Sequence, residues 1–315
     1  MASVDATDGF TARVRAMVLE ADDILSLELE PIDRPFPGWT AGAHVDVAIP
    51  GAPTRQYSLC GPPDADRYRI AVLREAVSRG GSQAVHERLR PGDTVVLRGP
   101  HNHFRLEPAP EYLFVAGGIG ITPIVSLLRE AQAAGATWRL LYLGASRRRM
   151  AFLDEIAALD GGTVTIVARD EDERADLAAE LAQHPTAMVY ACGPERMLAA
   201  LREIVGEDSD RLHIEYFQAP QVEYEPGGPF MIRLERSGLE AEVRPHQSIM
   251  EVMREAGVDV LSDCEEGICG SCETRVIDGE IEHRDFVLTK QERERGDCMM
   301  VCVSRAACPL LVLDA

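Results

Sequence analysis

The first hundred residues carry short runs in which apolar and polar positions alternate, a pattern typical of half-buried β-strands. The clearest run is Ile24-Leu25-Ser26-Leu27-Glu28-Leu29-Glu30. Turns rich in Pro and Gly separate it from similar runs at 45–49, 55–60, 68–73 and 94–97, and one helical segment, 82–89, interrupts the series. Several short strands with a single helix predict an antiparallel β-barrel domain over residues 1–107.

From residue 111 the pattern changes to apolar strands that alternate with helices. Strands are predicted at 112–116, 138–143, 163–168, 188–191 and 212–217, and helices at 123–134, 151–159, 174–183 and 194–205. This alternation predicts an α/β domain with a parallel sheet over residues 108–217. Ligands of such sheets bind beyond the carboxyl ends of the strands.

Two glycine-rich turns follow strands of this predicted sheet. Gly117-Gly118-Ile119-Gly120 precedes Thr122 and Pro123, and Cys192-Gly193-Pro194 follows the fourth strand. The first turn is not G-x-G-x-x-G, so the ordinary dinucleotide fingerprint is absent. Its glycines still permit close backbone approach to a flat or charged ligand. We expect Thr122 to cap the next helix and Pro123 to take its first position.

The last hundred residues begin with a predicted linker at 218–228, which carries two prolines and two glycines. A β-hairpin is predicted at 230–236 and 239–244, and further strands at 273–277 and 310–313. The helix predicted at 247–256 places Ile249, Val252, Met253 and Ala256 on one face. These elements predict a smaller α+β domain over residues 229–315.

Three cysteines of this region, Cys264, Cys269 and Cys272, are spaced C-x4-C-x2-C, and Cys302 follows them. This is the ligand spacing of a plant-type [2Fe–2S] cluster. Thiolate sulfur suits iron–sulfur clusters. Gly267 and Gly270 allow the tight turns that such a loop needs, and Ser271 and the glycine amides are expected to donate to sulfur.

A zinc site and disulfide bonds are the alternatives for these cysteines. Zinc sites usually show two C-x2-C pairs or Cys/His pairs, and one C-x2-C pair is present. Disulfides would need an oxidising compartment. Cys60, Cys298 and Cys308 have no role that the spacing suggests, and we expect them to be structural thiols.

Charge and hydropathy restrict the location and the partners. The net charge is −20, and residues 218–315 contribute half of it. This balance argues against a nucleic-acid partner. Asp263, Glu265 and Glu266 flank Cys264, so an acidic rim that attracts a basic protein partner is expected, although general solubility would also explain the charge. No signal peptide or unbroken membrane span is visible, and we expect a soluble cytoplasmic protein.

Two motifs in the predicted barrel suit a phosphorylated ring ligand. In Arg55-Gln56-Tyr57-Ser58, the guanidinium could bind phosphate, the tyrosine a ring and the serine a polar ring edge. The alternative is an ordinary β-strand with alternating exposure, which could carry the same four residues. In Arg79-Gly80-Gly81-Ser82, glycines lead into a helix start with Ser82 as the expected N-cap, a place that binds anions readily. A plain glycine turn is the alternative.

The signatures R-x-Y-S, G-G-x-G-x-T-P with C-G-P, and C-x4-C-x2-C occur here in one order. In this the chain resembles the phthalate dioxygenase reductase family, and it is similar to the reductase subunits of vanillate demethylase and carnitine monooxygenase. The resemblance covers nearly the full length and extends to segments 102–104, 213–217, 282–285, 302–305 and 311–314. It implies flavin and NAD domains like those of ferredoxin–NADP reductase, followed by a β-grasp ferredoxin domain.

The resemblance also implies FMN in the barrel, NADH at the parallel sheet and the cluster in the last domain. The residues implied to hold the flavin are Arg55, Tyr57, Ser58, Arg79, Gly81 and Ser82. Those implied at the dinucleotide or at the flavin–nicotinamide junction are Gly118, Gly120, Thr122, Cys192, Gly193, Pro194 and Phe217. NADH is expected over NADPH. Acidic residues 170–172 support this, and arginines 147–149, which could bind a 2′-phosphate, oppose it.

The expected function is an NADH-dependent reductase that passes single electrons to a separate oxygenase component, of the Rieske type. A flavin must stand between the other two centres, because a hydride carries two electrons and the cluster accepts one. A reductase for a cytochrome P450 and a redox carrier or sensor without NADH-driven turnover are the alternatives. No catalytic triad, acid–base dyad or Rieske motif is visible, so no catalytic side chain is expected.

Overall fold

The structure, a computed structural model, describes residues 9–77, 80–171, 174–206, 209–222 and 224–315. It divides into two compact units, Met1–Glu215 and Tyr216–Ala315. The predicted barrel and α/β regions together make up the first unit. The boundary predicted between them at 107 and 108 therefore stays a prediction.

The first part of unit one is a six-stranded antiparallel sheet in the order β4-β3-β6-β1-β2-β5. Its elements are β1 (Phe10–Ala21), β2 (Ile24–Pro31), β3 (His44–Ala48), β4 (Arg55–Ser58), β5 (Tyr68–Leu73), α1 (Gly81–Glu87) and β6 (Thr94–His101). Leu59, directly after β4, bridges to Ile70 of β5. The two edges therefore meet, and the sheet curls around a core that includes Leu27, Tyr68 and Val85.

The second part is a five-stranded parallel sheet in the order β11-β10-β7-β8-β9. Its elements are β7 (Glu111–Gly117), α2 (Ile121–Ala133), β8 (Thr137–Gly144), α3 (Leu153–Ala157), β9 (Gly162–Ala168), α4 (Leu177–Gln183), β10 (Met188–Cys192), α5 (Glu195–Val205) and β11 (Leu212–Glu215). The strand order changes direction between β7 and β10. Such a switch point opens a crevice at the carboxyl ends of the two strands.

The starts of α1 and α2 differ from their predicted caps. Gly80, in a left-handed conformation, precedes α1, and the Ser82 hydroxyl instead accepts a hydrogen bond from the Glu75 amide. Gly120 precedes α2, and Thr122 at the second helical position donates to the Ile119 carbonyl. Both helices begin earlier than expected because glycine-rich turns coil directly into them, as the 3-10 turn Gly118–Gly120 does before α2.

Charged side chains join the antiparallel part of unit one to its α/β part. Arg69 of β5 pairs with Glu20 of β1 and with Glu155 of α3, each at 2.8 Å. Arg129 of α2 also pairs with Glu155 and donates to the carbonyl of Cys60 at 2.8 Å. These side chains are largely buried. The network therefore fixes β1, β5 and the segment after β4 relative to α2 and α3.

Unit two holds a sheet in the order β13-β12-β18-β14-β16. Its elements are β12 (Phe230–Leu234), β13 (Leu239–Val243), α6 (Ile249–Glu255), β14 (Glu273–Asp278), β15 (Ile281–Glu282), α7 (Lys290–Arg295), β16 (Cys298–Met300), β17 (Arg305–Ala306) and β18 (Leu310–Leu313). Helix α6 buries Ile249, Val252 and Met253 as predicted. Met250 is buried too, and Ala256 is exposed, because the helix ends before it.

Within the described ranges, every helix is too short or too polar to cross a membrane.

Candidate functional site

The two glycine-rich turns meet at the switch point between β7 and β10. A Cβ on Gly117 would lie 2.5 Å from Cδ of Pro194, and one on Gly120 would collide with the carbonyl of Cys192. These glycines are therefore needed so that the turns can touch. A Cβ on Gly118 would meet open space. Room for a ligand lies at Gly118, whereas the predicted contact of Gly120 with a dinucleotide stays a prediction.

Cys192 and Glu215 are register partners where β10 and β11 end together. Burial raises the pKa of the Cys192 thiol well above its usual range, and the nearby Glu215 carboxyl raises it further. The thiol therefore stays protonated at neutral pH. At the carboxyl end of β10, Cys192 is therefore a buried, uncharged group.

Glu215 is a site residue that the sequence analysis missed. Burial raises its pKa from 4.5 to about 8, and an interaction with the Ser58 hydroxyl offsets part of that rise. Glu215 Oε2 is buried, although Glu215 Oε2 and Ser58 Oγ do not meet in a hydrogen bond of ordinary geometry. Ser58 ends β4, so the antiparallel sheet and the parallel sheet converge here. An acidic residue at the end of a parallel strand was the available signal.

The R-x-Y-S strand lies beside the start of α1. A Cβ on Gly81 would lie 2.5 Å from Cγ of Arg55, so the arginine packs directly against this glycine. Burial raises the pKa of Tyr57 to about 12. Arg55 of the first motif and Gly81 of the second are thus brought into contact in unit one. Arg79 lies outside the described residues.

The predicted cluster ligands in unit two form two thiol pairs. Cys264 contacts Cys269, and Cys272 contacts Cys302. The Cys264 thiol lowers the pKa of Cys269, and the Cys302 thiol lowers that of Cys272. Two pairs fit a cluster of two irons that each take two thiolates. In the described part of the chain, no three or more His, Cys, Asp or Glu residues converge as one metal ion would require.

The loop around these thiols directs backbone amides toward sulfur. The Glu266 amide lies 3.3 Å from Sγ of Cys264, and the Ser271 amide lies 3.5 Å from Sγ of Cys269. Gly267 takes a positive φ of 72°, and a Cβ there would lie 2.6 Å from Val303. All eight cysteines carry free thiols. Amides and thiols therefore fit the predicted cluster, and no disulfide competes for them.

Asp285 stabilises a segment that contacts the cluster loop. Its buried carboxylate accepts hydrogen bonds from the amides of Val287 and Leu288, at 3.2 and 2.9 Å. The next amide along the chain, that of Phe286, donates to the Gly267 carbonyl at 2.8 Å. Asp285 and its neighbours thus tie the segment after β15 to the loop of Cys264 and Cys269. No sequence pattern assigned Asp285 a role, since the loop that its segment contacts at Gly267 lies on the other side of β14 along the chain.

The expected acidic rim is weaker than its residue count suggests. Glu265 pairs with Arg254 of α6 at 2.9 Å, which lowers the pKa of its carboxyl. One of the three acidic side chains beside Cys264 is therefore neutralised locally. Residues 218–315 still contribute half of the net charge.

Comparison with known proteins follows the same division. Residues 114–203 match a family described as an oxidoreductase NAD-binding domain, and residues 232–307 match a 2Fe-2S iron-sulfur cluster binding domain. The chain is 38% identical to phthalate dioxygenase reductase of Burkholderia cepacia over 98% of both chains. The chain belongs to the phthalate dioxygenase reductase family. It is also 42% identical to phenoxybenzoate dioxygenase subunit beta of Ectopseudomonas oleovorans, over 96% of each chain.

Solved structures agree with this assignment. A phthalate dioxygenase reductase structure, described as modular for electron transfer from pyridine nucleotides to [2Fe-2S], matches with a TM-score of 0.68 over 98% of both chains. An intact type IV self-sufficient cytochrome P450 monooxygenase matches all of this chain with 44% identity and a TM-score of 0.93. The chain spans 42% of the length of that P450 protein.

Three predictions are confirmed by these comparisons. The family is the one expected, the fold has the three expected architectures, and the chain is an NAD-dependent iron–sulfur oxidoreductase. The cluster domain contains all four predicted ligands, and the NAD-binding domain contains both glycine-rich turns.

Proposed function

We propose that this protein is an NADH-dependent reductase that reduces a bound FMN and passes single electrons through the [2Fe–2S] cluster to a separate oxygenase component. One observation carries the proposal. Ser58 of the R-x-Y-S strand lies beside Glu215, and Glu215 is the register partner of Cys192 at the carboxyl ends of β10 and β11. The predicted flavin strand and the predicted dinucleotide turns thus share one crevice.

Bound flavin accepts a hydride from NADH and releases electrons singly, which matches a one-electron cluster. The protein's own residues prepare the crevice for that exchange. Glu215 holds a proton on its carboxyl below pH ~8, and Cys192 stays a neutral thiol. Two uncharged groups at the junction do not repel a dinucleotide. Thr122 is buried at the start of α2 and is proposed to face the flavin–nicotinamide junction. Phe217 belongs to unit two, so its predicted place near the flavin stays a prediction.

FMN rather than FAD is proposed as the flavin. The Arg55 side chain contacts Gly81, next to Ser82 at the start of α1. We propose that these groups bind the phosphate at the end of FMN. Arg79 is proposed to join them. The proposed cluster ligands are Cys264, Cys269, Cys272 and Cys302, because their thiols form the two pairs described above.

NADH is proposed as the preferred dinucleotide. Arginines 147–149 could favour NADPH, and acidic residues 170–172 could favour NADH. The two groups are in contact, because Arg147 pairs with Glu171 at 2.9 Å. Arg148 and Arg149 pair with Asp22 and Asp23, at 2.9 and 3.0 Å. A 2′-phosphate would have to compete with these carboxylates for the arginines. Asp172 lies outside the described residues.

A Rieske-type oxygenase is the proposed acceptor, because the relatives above are named as a dioxygenase reductase and as a dioxygenase subunit. The second candidate is a cytochrome P450, favoured by the match to the self-sufficient P450 monooxygenase. The remaining negative charge of residues 218–315 favours a basic docking patch on either partner. Cytoplasmic localisation is proposed as well, since the thiols must stay reduced to bind the cluster.

NADH-driven reduction of purified acceptors tests this proposal. A Rieske-type oxygenase and a P450 are supplied in parallel, with cytochrome c as a non-specific acceptor, and each is followed by its own absorbance. The proposal predicts fast reduction of the Rieske protein that slows as salt rises, because screening shortens electrostatic attraction to ~10 Å at 0.1 M salt. Faster reduction of the P450 would establish the second candidate. Equal rates with all three acceptors would refute specific docking.

A further inference from the structure

Glu265 has an unusual backbone conformation for a residue with a side chain. Its φ is +56°, and within the described ranges only Asp23 and Phe152 share a positive φ without being glycine. The left-handed region brings Cβ close to the carbonyl oxygen, so residues other than glycine avoid it. Glu265 directly follows the cluster ligand Cys264. Contacts of Glu265 with neighbouring residues must therefore stabilise this conformation.

The conformation of Glu265 directs the next amide toward the cluster ligand. Because the chain turns left-handed at Glu265, the Glu266 amide points back to Sγ of Cys264, at 3.3 Å. Hydrogen bonds to ligand sulfur are one of the means by which a protein tunes an iron–sulfur reduction potential, since they stabilise the more negative reduced state. The local turn therefore bears directly on the cluster's electronics.

Two polar side chains hold the Glu265 side chain. Its Oε1 accepts hydrogen bonds from Arg254 at 2.9 Å and from the Ser262 hydroxyl at 3.0 Å. Arg254 also donates to Ser262, which closes a triangle. This anchor ties the cluster loop to a rigid helix.

Arg254 itself has a fixed base, because it lies in the last turn of α6. A capping box between Ser248 and Glu251 fixes the other end of that helix, and its apolar face is buried. An exposed ion pair adds little to global stability. Here it acts on one backbone torsion beside a ligand, so its effect should appear in the cluster rather than in the unfolding free energy.

We propose that Glu265 is a positioning residue for the cluster. Its anchor to Arg254 and Ser262 maintains the left-handed turn that aims the Glu266 amide at Sγ of Cys264, and so raises the reduction potential of the cluster. The proposal rests on ligation by Cys264, which is part of the proposed function. It adds a role for side chains that do not touch the cluster themselves.

The test compares Glu265→Ala with Glu265→Gly. Both variants lose the same charge and the same anchor, and they differ in that glycine accepts a positive φ readily whereas alanine does not. The midpoint potential of the cluster is measured in the full-length holoprotein by titration with dithionite and mediators, followed by EPR. This readout does not require NADH turnover, so a failure of the proposed NADH-to-oxygenase function would be seen separately.

The expected result is a more negative potential in Glu265→Ala than in Glu265→Gly. Loss of cluster from the alanine variant alone would support the proposal equally, because only the backbone preference differs. Equal potentials in the two variants would overturn it, since loss of charge would then explain the whole shift. Loss of cluster from both variants would also overturn it, because glycine can keep the turn without the anchor.

A charge-balanced pair gives a second measurement. The double variant Arg254→Met with Glu265→Met removes one positive and one negative charge, and neither new side chain can form the hydrogen bonds of the anchor. The loop therefore keeps its net charge while the anchor is lost. We expect its potential to be more negative than that of the wild type. The single variant Glu266→Gln removes one negative charge and leaves the anchor, and its potential should be more positive. A double variant with the wild-type potential would contradict the proposal.

Discussion

Cys192 and Glu215 are register partners at the carboxyl ends of β10 and β11, and each is buried enough to favour its uncharged form. The pairing places a carboxyl with a pKa of about 8 beside the glycine-rich turns. Parallel strands end at the same edge of the sheet, so residues far apart in sequence meet there. The crevice therefore changes charge near the upper end of the physiological pH range.

Glu215 makes stability depend on pH. Its pKa rises from 4.5 to about 8 on folding, so the folded state binds more protons between those values. The free energy of unfolding should therefore fall as pH rises through this window. Glu215→Gln should remove that decline. Urea unfolding of the flavin-loaded wild type and variant below pH ~5 and above pH ~8 checks this. Identical pH slopes in both proteins would refute the assignment.

Arg69 joins the two parts of unit one through Glu20 and Glu155. Arg69→Met should lower the free energy of unfolding by about 1–3 kcal/mol, because two largely buried carboxylates lose a partner. The matched control is Arg67→Met, whose pair with Glu28 is exposed. That control should stay within about 0.5 kcal/mol of the wild type. Chemical denaturation measures both, and equal effects would show that Arg69 is an ordinary surface arginine.

Arg55 should determine whether flavin is retained. Arg55→Met is expected to lower bound FMN at least severalfold, because the phosphate loses a guanidinium beside Gly81. Arg90→Met is the control, since Arg90 bonds to the carbonyls of Glu87 and Leu89 at the other end of α1. Chromatography of acid-released flavin gives both amount and identity. FAD as the main species in the wild type would contradict the account.

Glu171 should set the dinucleotide preference. Glu171→Gln releases Arg147 from its ion pair and removes a charge that repels a 2′-phosphate. We expect kcat/KM for NADPH to rise roughly tenfold, about 1.4 kcal/mol, with a smaller change for NADH. Glu195→Gln, which breaks the exposed pair with Arg202, serves as the control. A wild-type preference for NADPH would show that the arginines prevail.

The cluster ligands and the glycine-rich turns could be predicted because their patterns are local in sequence. The four cluster cysteines have a spacing set by the cluster itself, and the turns at Gly117 and Gly193 directly follow strongly apolar strands. Strand β1 was missed because only Phe10, Ala12 and Val14 alternate as buried apolar positions, whereas the apolar Val18 and Leu19 in its second half are exposed. Glu215 and Asp285 were missed for another reason. Glu215 lies beside Ser58, which is far away in sequence, and the segment of Asp285 contacts Gly267 across β14, so no local pattern encodes either arrangement.

Reaction with NADH under anaerobic conditions tests the central claim most directly. In the wild type, flavin absorbance should fall first, and the EPR signal of the reduced cluster should follow. In Cys272→Ser the flavin should still be reduced while the EPR signal is absent, because one thiol pair is broken. Cys308→Ser, whose thiol instead contacts the Glu280 amide at 3.1 Å, should behave as the wild type. If NADH left the wild-type flavin oxidised, or if Cys272→Ser kept a normal cluster signal, the account would be contradicted.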